Sequence, residues 1–390
     1  MSHGFSTRSV HVHGTELDVE TEAIAPPIVQ TSSFGFESME SMDRVIGHSK
    51  RGYAYSRLTN PTVDLFERAT AELEGAEEGV AFASGMAAIH GVMTTLLSAG
   101  DHIVAPHSVY GGSHALFTQM LPRFNVETSF AQTGDLTAME AAITSRTKIL
   151  YIESITNPTL EVADLAGASA LAKRHDLTLV VDSTLATPAL IRPIEHGAEV
   201  VIHSASKYLG GHGDLIAGVA VGPKALMRPL RKSLLLAGGN CAPFVAWLVL
   251  RGIKTLDLRM EKHCRNALAV ARHLAEHPQV RTVRYPTLDV PEQVHSELGG
   301  RGGAMVSFVL EGGDERACRA LNALRLFKRA GSLGDAHSLA LIPSLASHRS
   351  FSPEERLDAG IPEGFVRLSI GLEDEADLLG DLDRALSASL

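Results

Sequence analysis

Three short stretches of the chain carry residue types suited to chemistry. The first is Ser204-Ala205-Ser206-Lys207, directly after the apolar run 199–203. A lysine at a strand end, behind small hydroxyl residues, can have its amine shielded and its pKa lowered, as an amine that condenses with an aldehyde requires. The two hydroxyls suit a phosphate. Taken alone, the same lysine also reads as a solvated surface residue. The second stretch is Val180-Val181-Asp182. An acid that ends a buried apolar run is costly unless it is paired. A protonated ring nitrogen would pair it, and so would a helix N-cap or a salt bridge. The third is Ala83-Ser84-Gly85-Met86-Ala87-Ala88, where an apolar run gives way to small residues and a helical pattern. That geometry offers backbone N–H groups and a positive helix end to a phosphate, although small residues also mark tight strand-to-helix turns.

Together the three describe a phosphate cradle, an acid for a ring nitrogen and an amine for an aldehyde. That combination is the chemistry of a pyridoxal 5′-phosphate site. Elements able to position it follow from the pattern. From residue 63 helical stretches alternate with short apolar runs at 79–83, 101–105, 126–131, 148–153, 178–182, 199–203 and 218–221. Strands apolar on both faces and separated by helices predict an α/β fold with a mostly parallel sheet covered on both sides. In such sheets functional groups gather at the carboxyl ends of the strands. This directs attention to Ser84-Gly85, Glu153, Asp182 and residues 203–207. Beyond about residue 250 the pattern changes to a long helix at 255–277, strand-like pieces at 280–285, 304–310 and 366–370, and helices at 315–324 and 375–387. The chain therefore divides into an N-terminal arm (1–62), a cofactor domain (63–252) and a smaller α+β domain (253–390). The arm has little periodicity and reads either as a poorly ordered terminus or as an extended arm with turns. Its Phe34, Phe36, Tyr53, Tyr55 and Arg57 are costly to leave unpacked.

Composition narrows the function classes. The chain has 390 residues, 35 Lys+Arg against 45 Asp+Glu and a net charge of −10, which gives no long-range attraction to nucleic acid. The longest apolar run, 242–250, is half of what a membrane span needs and reads as a buried helix segment. Residues 1–5 do not resemble a secretory signal. Cys241, Cys264 and Cys318 are three, well spaced and without a CxxC pair, so neither a disulfide framework nor a cysteine zinc site is expected, and a reducing cytoplasm fits. The 18 histidines include no HxxxH pair with a third ligand in an obvious arrangement, so no metal site is expected.

Motifs that run almost end to end resemble those of the trans-sulfuration, or Cys/Met-metabolism, group of fold-type I pyridoxal-phosphate enzymes. They are Tyr55-Ser56-Arg57 with Asn60-Pro61-Thr62, the Ala83–Ala88 stretch, Tyr110-Gly111-Gly112, Glu153-Ser154 with Asn157-Pro158, Val181-Asp182, His203 through Tyr208, Arg251 through Leu256, Ser332-Leu333-Gly334 and Val366 through Glu373. The resemblance implies that Lys207 holds the cofactor as a Schiff base and then shuttles protons, and that Asp182 keeps the ring nitrogen protonated. Tyr110 would stack on the ring and assist proton transfer; read without the family, it is a core tyrosine. Ser84, Gly85, Met86, Ser204 and Ser206 would hold the phosphate, joined by Tyr55 and Arg57 reaching over from a neighbouring subunit. Arg367, with Ser332 and Asn157, would grip the α-carboxylate of an amino-acid substrate; by itself, an arginine in a strand is more often an ion-pair residue. The family is usually a homotetramer, a dimer of dimers.

The implied reaction is γ-elimination on a sulfur-containing or related γ-substituted L-amino acid, giving a 2-oxo acid and ammonia. The alternative is γ-replacement, as in a cystathionine γ-synthase or an O-acylhomoserine sulfhydrylase. Several stretches lean towards methionine γ-lyase, among them Gly211 through Gly218 and Ser332-Leu333-Gly334-Asp335. Yet Gly112 stands where that enzyme has a cysteine, and Ser233-Leu234-Leu235-Leu236 where it has a Lys-Asp pair. His337 replaces a glutamate found in many relatives. These changes suggest a pocket rebuilt for another γ-substituent. His337 reads as a substrate contact, an acid or base near the leaving group, or a packed or solvated histidine.

Overall fold

The computed structural model describes residues 3–11, 24–47, 49–50, 52–288, 298–349 and 351–389. Seven short apolar runs form the first sheet: β1 (Glu78–Phe82), β2 (His102–Pro106), β3 (Glu127–Ala131), β4 (Thr147–Glu153), β5 (Thr178–Asp182), β6 (Val200–His203) and β7 (Gly218–Gly222). Their order is β1-β7-β6-β5-β4-β2-β3. All neighbours are parallel except at β7, which runs antiparallel to both β1 and β6. The mostly parallel sheet is thus present, with one reversed strand.

Alternating side chains divide between two buried clusters, as the period of two in a strand requires. Leu150, Val181 and Val201 join Leu65 and Phe66 of the helix Pro61–Glu74. Tyr151, Val180 and Ile202 join Ile89 and Met93 of the helix Gly85–Leu96. Helices on both faces explain why these strands read as apolar throughout.

A second sheet has the order β10-β11-β12-β9-β8, with β8 (Val280–Arg284), β9 (Met305–Leu310), β10 (Lys328–Arg329), β11 (Leu339–Leu341) and β12 (Phe365–Ser369). It is antiparallel apart from β10–β11. The helices Leu256–Ala275, Gly313–Ala323 and Glu375–Ala388 share its buried cluster through Ala267, Ala317 and Leu382.

The structure departs from the sequence-based expectation in three places. Within the arm, Phe5–His11 and Met39–Ile46 are helices rather than extended chain. The second buries none of its residues and is started by a reciprocal Ser38–Ser41 capping box, so it leaves no apolar stripe to read. The helical stretch expected between the runs 101–105 and 126–131 is α-helical only at Gly111–Ala115. It continues as a π turn, Leu116–Met120, and a 3-10 turn, Leu121–Phe124, where Pro122 cannot donate into an α-helical ladder. The helix Lys224–Ala237 carries an internal Pro229, which hid it. No helix among the described residues is long and apolar enough to cross a membrane.

Candidate active site

A cavity of about 740 Å³ opens at the carboxyl edge of the first sheet, walled on its other side by residues 331–333, 346–347 and Arg367. Eleven of the sequence-predicted site residues line it: Ser84, Gly85, Met86, Tyr110, Asn157, Asp182, Ser204, Ser206, Lys207, Ser332 and Arg367.

The expected phosphate cradle has a local geometry that suits it. Beyond β1 the chain passes through Ser84 in an extended conformation, and its hydroxyl caps the helix Gly85–Leu96 by accepting from Ala87 N–H at 3.0 Å. The N–H groups of Gly85 and Met86 therefore start the helix without an intrahelical partner, at its positive end. Residue 85 must lack a side chain, because a Cβ there would lie 2.7 Å from the Cβ of Ser204. That contact brings the turn after β6 against the helix end. Ser204 N–H donates to Thr184 Oγ1 at 2.8 Å, and the Ser206 hydroxyl exchanges hydrogen bonds with the backbone of Ala217 at 3.0 and 3.2 Å.

Lys207 places its amine in the cavity, where Nζ donates to Ser332 Oγ at 3.0 Å. Burial, and then the nearby Arg367 cation, push its pKa below the ordinary lysine value. This favours the neutral, nucleophilic amine. Asp182 ends β5 with one carboxylate oxygen accepting from Thr184 N–H at 2.9 Å. Burial raises its pKa, and the Thr184 hydrogen bonds oppose that rise.

Beside Asp182 in register lies Glu153, the last residue of β4. Burial and the Asp182 charge push Glu153 up to about 8. Two adjacent buried carboxylates with no lysine or arginine opposing them among the described residues suit a cationic group placed between strand ends and cavity. A pyridinium N–H is such a group. The free N–H groups of Gly85 and Met86, the collision that enforces Gly85, the shielded amine and this acidic floor together fit pyridoxal phosphate.

Arg367 sits at the middle of β12, paired with Ser307 of β9 on one side and Leu341 of β11 on the other. Its Nη1 donates to Asn157 Oδ1 at 2.9 Å and its Nη2 to the Ser332 carbonyl at 3.0 Å, while Nε has no partner. Burial lowers its pKa to about 10. A buried guanidinium held by neutral acceptors, with its Nε–H unpaired, is prepared for a carboxylate.

Tyr110 is 39% exposed, and its backbone N–H donates to Glu153 Oε1 at 2.6 Å. A Cβ at Gly112 would stand 2.5 Å from the Tyr110 ring and 2.9 Å from Met86 Sδ, so the bare glycine makes room for the tyrosine. Three expected site residues do not line this cavity. The His337 side chain is 70% exposed, and its Nδ1 lies 3.3 Å from Asp335 Oδ1. Arg57 donates to the Leu235 carbonyl at 2.6 Å with its guanidinium 5.5 Å over the Tyr55 ring, and that tyrosine is exposed.

Glu153 stood out in the sequence as a strand-end acid but without a role, although it ends an apolar run just as Asp182 does. Thr184, which supports both Asp182 and Ser204, had no signal.

Comparisons with known proteins agree with this geometry. The family model described as Cys/Met metabolism PLP-dependent enzyme matches residues 6–387. An L-methionine γ-lyase of Pseudomonas putida is 45% identical, with 99% of this chain and 98% of the relative covered. A cystathionine γ-lyase of Bacillus subtilis is 40% identical over 97% and 98%. A solved Campylobacter jejuni structure, described as an O-acetylhomoserine (thiol)-lyase and carrying a pyridoxyl-lysine phosphate, superposes with a TM-score of 0.93 at 31% identity over 99% and 100% of the two chains.

Proposed function

The chain belongs to the Cys/Met metabolism PLP-dependent enzyme family, and from that membership we propose that it is a carbon–sulfur lyase. It would act by γ-elimination on a sulfur-containing or related γ-substituted L-amino acid of the methionine, homocysteine or cystathionine kind, giving a 2-oxo acid and ammonia. The observation that carries this reading is the double use of Ser332. Its hydroxyl accepts from the Lys207 amine and its carbonyl from the Arg367 guanidinium. Amine chemistry and a carboxylate grip thus meet within one residue, the spacing an α-amino acid presents.

Pyridoxal phosphate, when bound, supplies an electron-accepting ring. Gly85 and Met86 N–H with Ser84, Ser204 and Ser206 would hold its phosphate, and Asp182 would keep the proton on the ring nitrogen. Arg367, Ser332 and Asn157 orient the substrate carboxylate. Lys207 takes the proton from Cα, and with Tyr110 manages the proton lost at Cβ before the γ-substituent leaves. Capture of an added nucleophile in place of elimination gives the second reading, γ-replacement. The likeness to a chain described as a thiol-lyase favours it.

Incubation with methionine, homocysteine, cystathionine and O-acylhomoserines, with and without a thiol, separates the two. Thiol-independent release of 2-oxobutanoate is the expected result; product formed only with thiol overturns elimination.

The assembly belongs to the same proposal. Tyr55 and Arg57 stand outside their own chain's cavity, near exposed apolar side chains such as Leu236. This supports a homo-oligomer, a dimer of dimers, in which each arm (1–62) serves a neighbour's phosphate site beside the cofactor domain (63–252) and the C-terminal domain (253–390). Three free cysteines support a reducing cytoplasm as its compartment.

A further inference from the structure

One buried side chain joins the two halves of the cavity. Glu153 Oε1 accepts from Tyr110 N–H at 2.6 Å, and its Oε2 accepts from Asn157 N–H at 3.0 Å. Asn157 Oδ1 holds Arg367, Arg367 holds the Ser332 carbonyl, and the Ser332 hydroxyl receives the Lys207 amine. An unbroken series therefore runs Tyr110, Glu153, Asn157, Arg367, Ser332, Lys207. Glu153 is the one carboxylate of this series, and its two oxygens join the tyrosine segment to Asn157.

We propose that Glu153 is a positioning residue that aligns the carboxylate grip of Asn157 and Arg367 with Tyr110, so that a bound amino acid is held in register with the groups that move its protons. The inference rests on the reading of the site as one for an α-amino acid. The physical reason is the acceptor count. An ionised carboxylate offers acceptors on both oxygens, so it satisfies two N–H donors from separate segments. Glutamine keeps the shape but offers one carbonyl and one NH₂, so one backbone N–H is left facing a donor and its segment is released. Burial and then the Asp182 charge raise the pKa of Glu153, and the Tyr110 and Asn157 N–H donors oppose that rise, so both donors favour the ionised form that can accept from each of them.

The test compares Glu153→Gln with wild type, both holding the cofactor. Binding of L-norleucine, which has no γ leaving group, and of L-norleucinamide, which lacks the carboxylate, is followed by the change in cofactor absorbance. Wild type should prefer norleucine. In the variant that preference should fall at least tenfold and kcat should also fall, while the cofactor band and thermal midpoint change little. A merely structural role would lower the midpoint and leave the preference intact. Preference and kcat both within twofold of wild type would overturn the proposal. Should Glu153→Gln fail to retain cofactor, Glu153→Asp is read by the same ratio, because the shorter acid keeps its charge but cannot span both donors. If wild type itself ignores both ligands and turns over no sulfur amino acid, it is the α-amino-acid reading that has failed.

Discussion

Lys207 and Arg367 both reach Ser332, one through its hydroxyl and the other through its carbonyl, and neither has a carboxylate partner among the described residues. Burial lowers the pKa of both, yet only the lysine can give up its proton at ordinary pH. In the proposed function that difference divides the labour: the amine would react, and the guanidinium would stay charged and bind. Lys207→Ala should therefore remove the visible cofactor absorbance and all turnover, while the protein still folds; measurable activity in that variant would contradict the assignment. Gly85→Ala should test the cradle. The added methyl would meet Ser204 at 2.7 Å and must displace the turn that faces the phosphate. At least a tenfold loss of cofactor affinity, measured by absorbance titration of the stripped protein, is expected. At this scale the sequence was legible wherever a polar residue ended an apolar run, as at Ser84, Asp182 and Lys207. It was less so for His337 and Arg57, because the direction of a loop side chain is set by distant contacts that local pattern does not encode.

Elements were legible in proportion to their burial. The strands of the first sheet, apolar on both faces, were found to within a residue or two. The arm helices and the π and 3-10 turns after residue 115 were not, because caps and a proline, rather than an apolar stripe, define them. Among the buried elements, the helix Leu256–Ala275 is tied to the end of β12 by His263, which is fully buried and lies 2.7 Å through Nδ1 from the Ile370 carbonyl. Its Nε2 has no partner, and burial lowers the pKa to about 4. The folded value lies below the unfolded one, near 6.5, so the neutral form stabilises the fold above pH 6.5 and that stability is lost as pH falls towards 4. The loss is on the order of 3 kcal/mol, since each tenfold change in proton affinity is worth about 1.4 kcal/mol. Denaturant melts should accordingly show a stability limb falling between pH 6.5 and 4. His263→Gln should flatten that limb while lowering stability at neutral pH. An unchanged limb in the variant would assign the acid sensitivity elsewhere.

Arg57 is spent on a backbone carbonyl of its own chain, and Tyr55 lies exposed beside it. If the arm serves a neighbour, two inactive variants should repair each other. Mixing Lys207→Ala with Arg57→Ala subunits, under conditions that exchange them, would leave hybrids with one site carrying both native residues. By random reassortment of a twofold assembly, activity should return to roughly a quarter of wild type. No recovery after verified exchange would confine the arm to its own subunit. At this scale the sequence implied oligomerisation only through family resemblance, since nothing in a linear pattern says which chain's cavity a residue enters.

The position of Arg367 on β12 also sets a timetable for making the enzyme. The cradle, the acid and the reactive lysine all lie before residue 208, whereas the carboxylate grip is translated about 160 residues later, roughly 8–30 s at ordinary elongation rates. For that interval the residues proposed to hold the cofactor are made and the arginine proposed to grip the substrate is not. A polypeptide that stops short of β12 would thus keep the Lys207 amine and lack the guanidinium proposed to select the substrate.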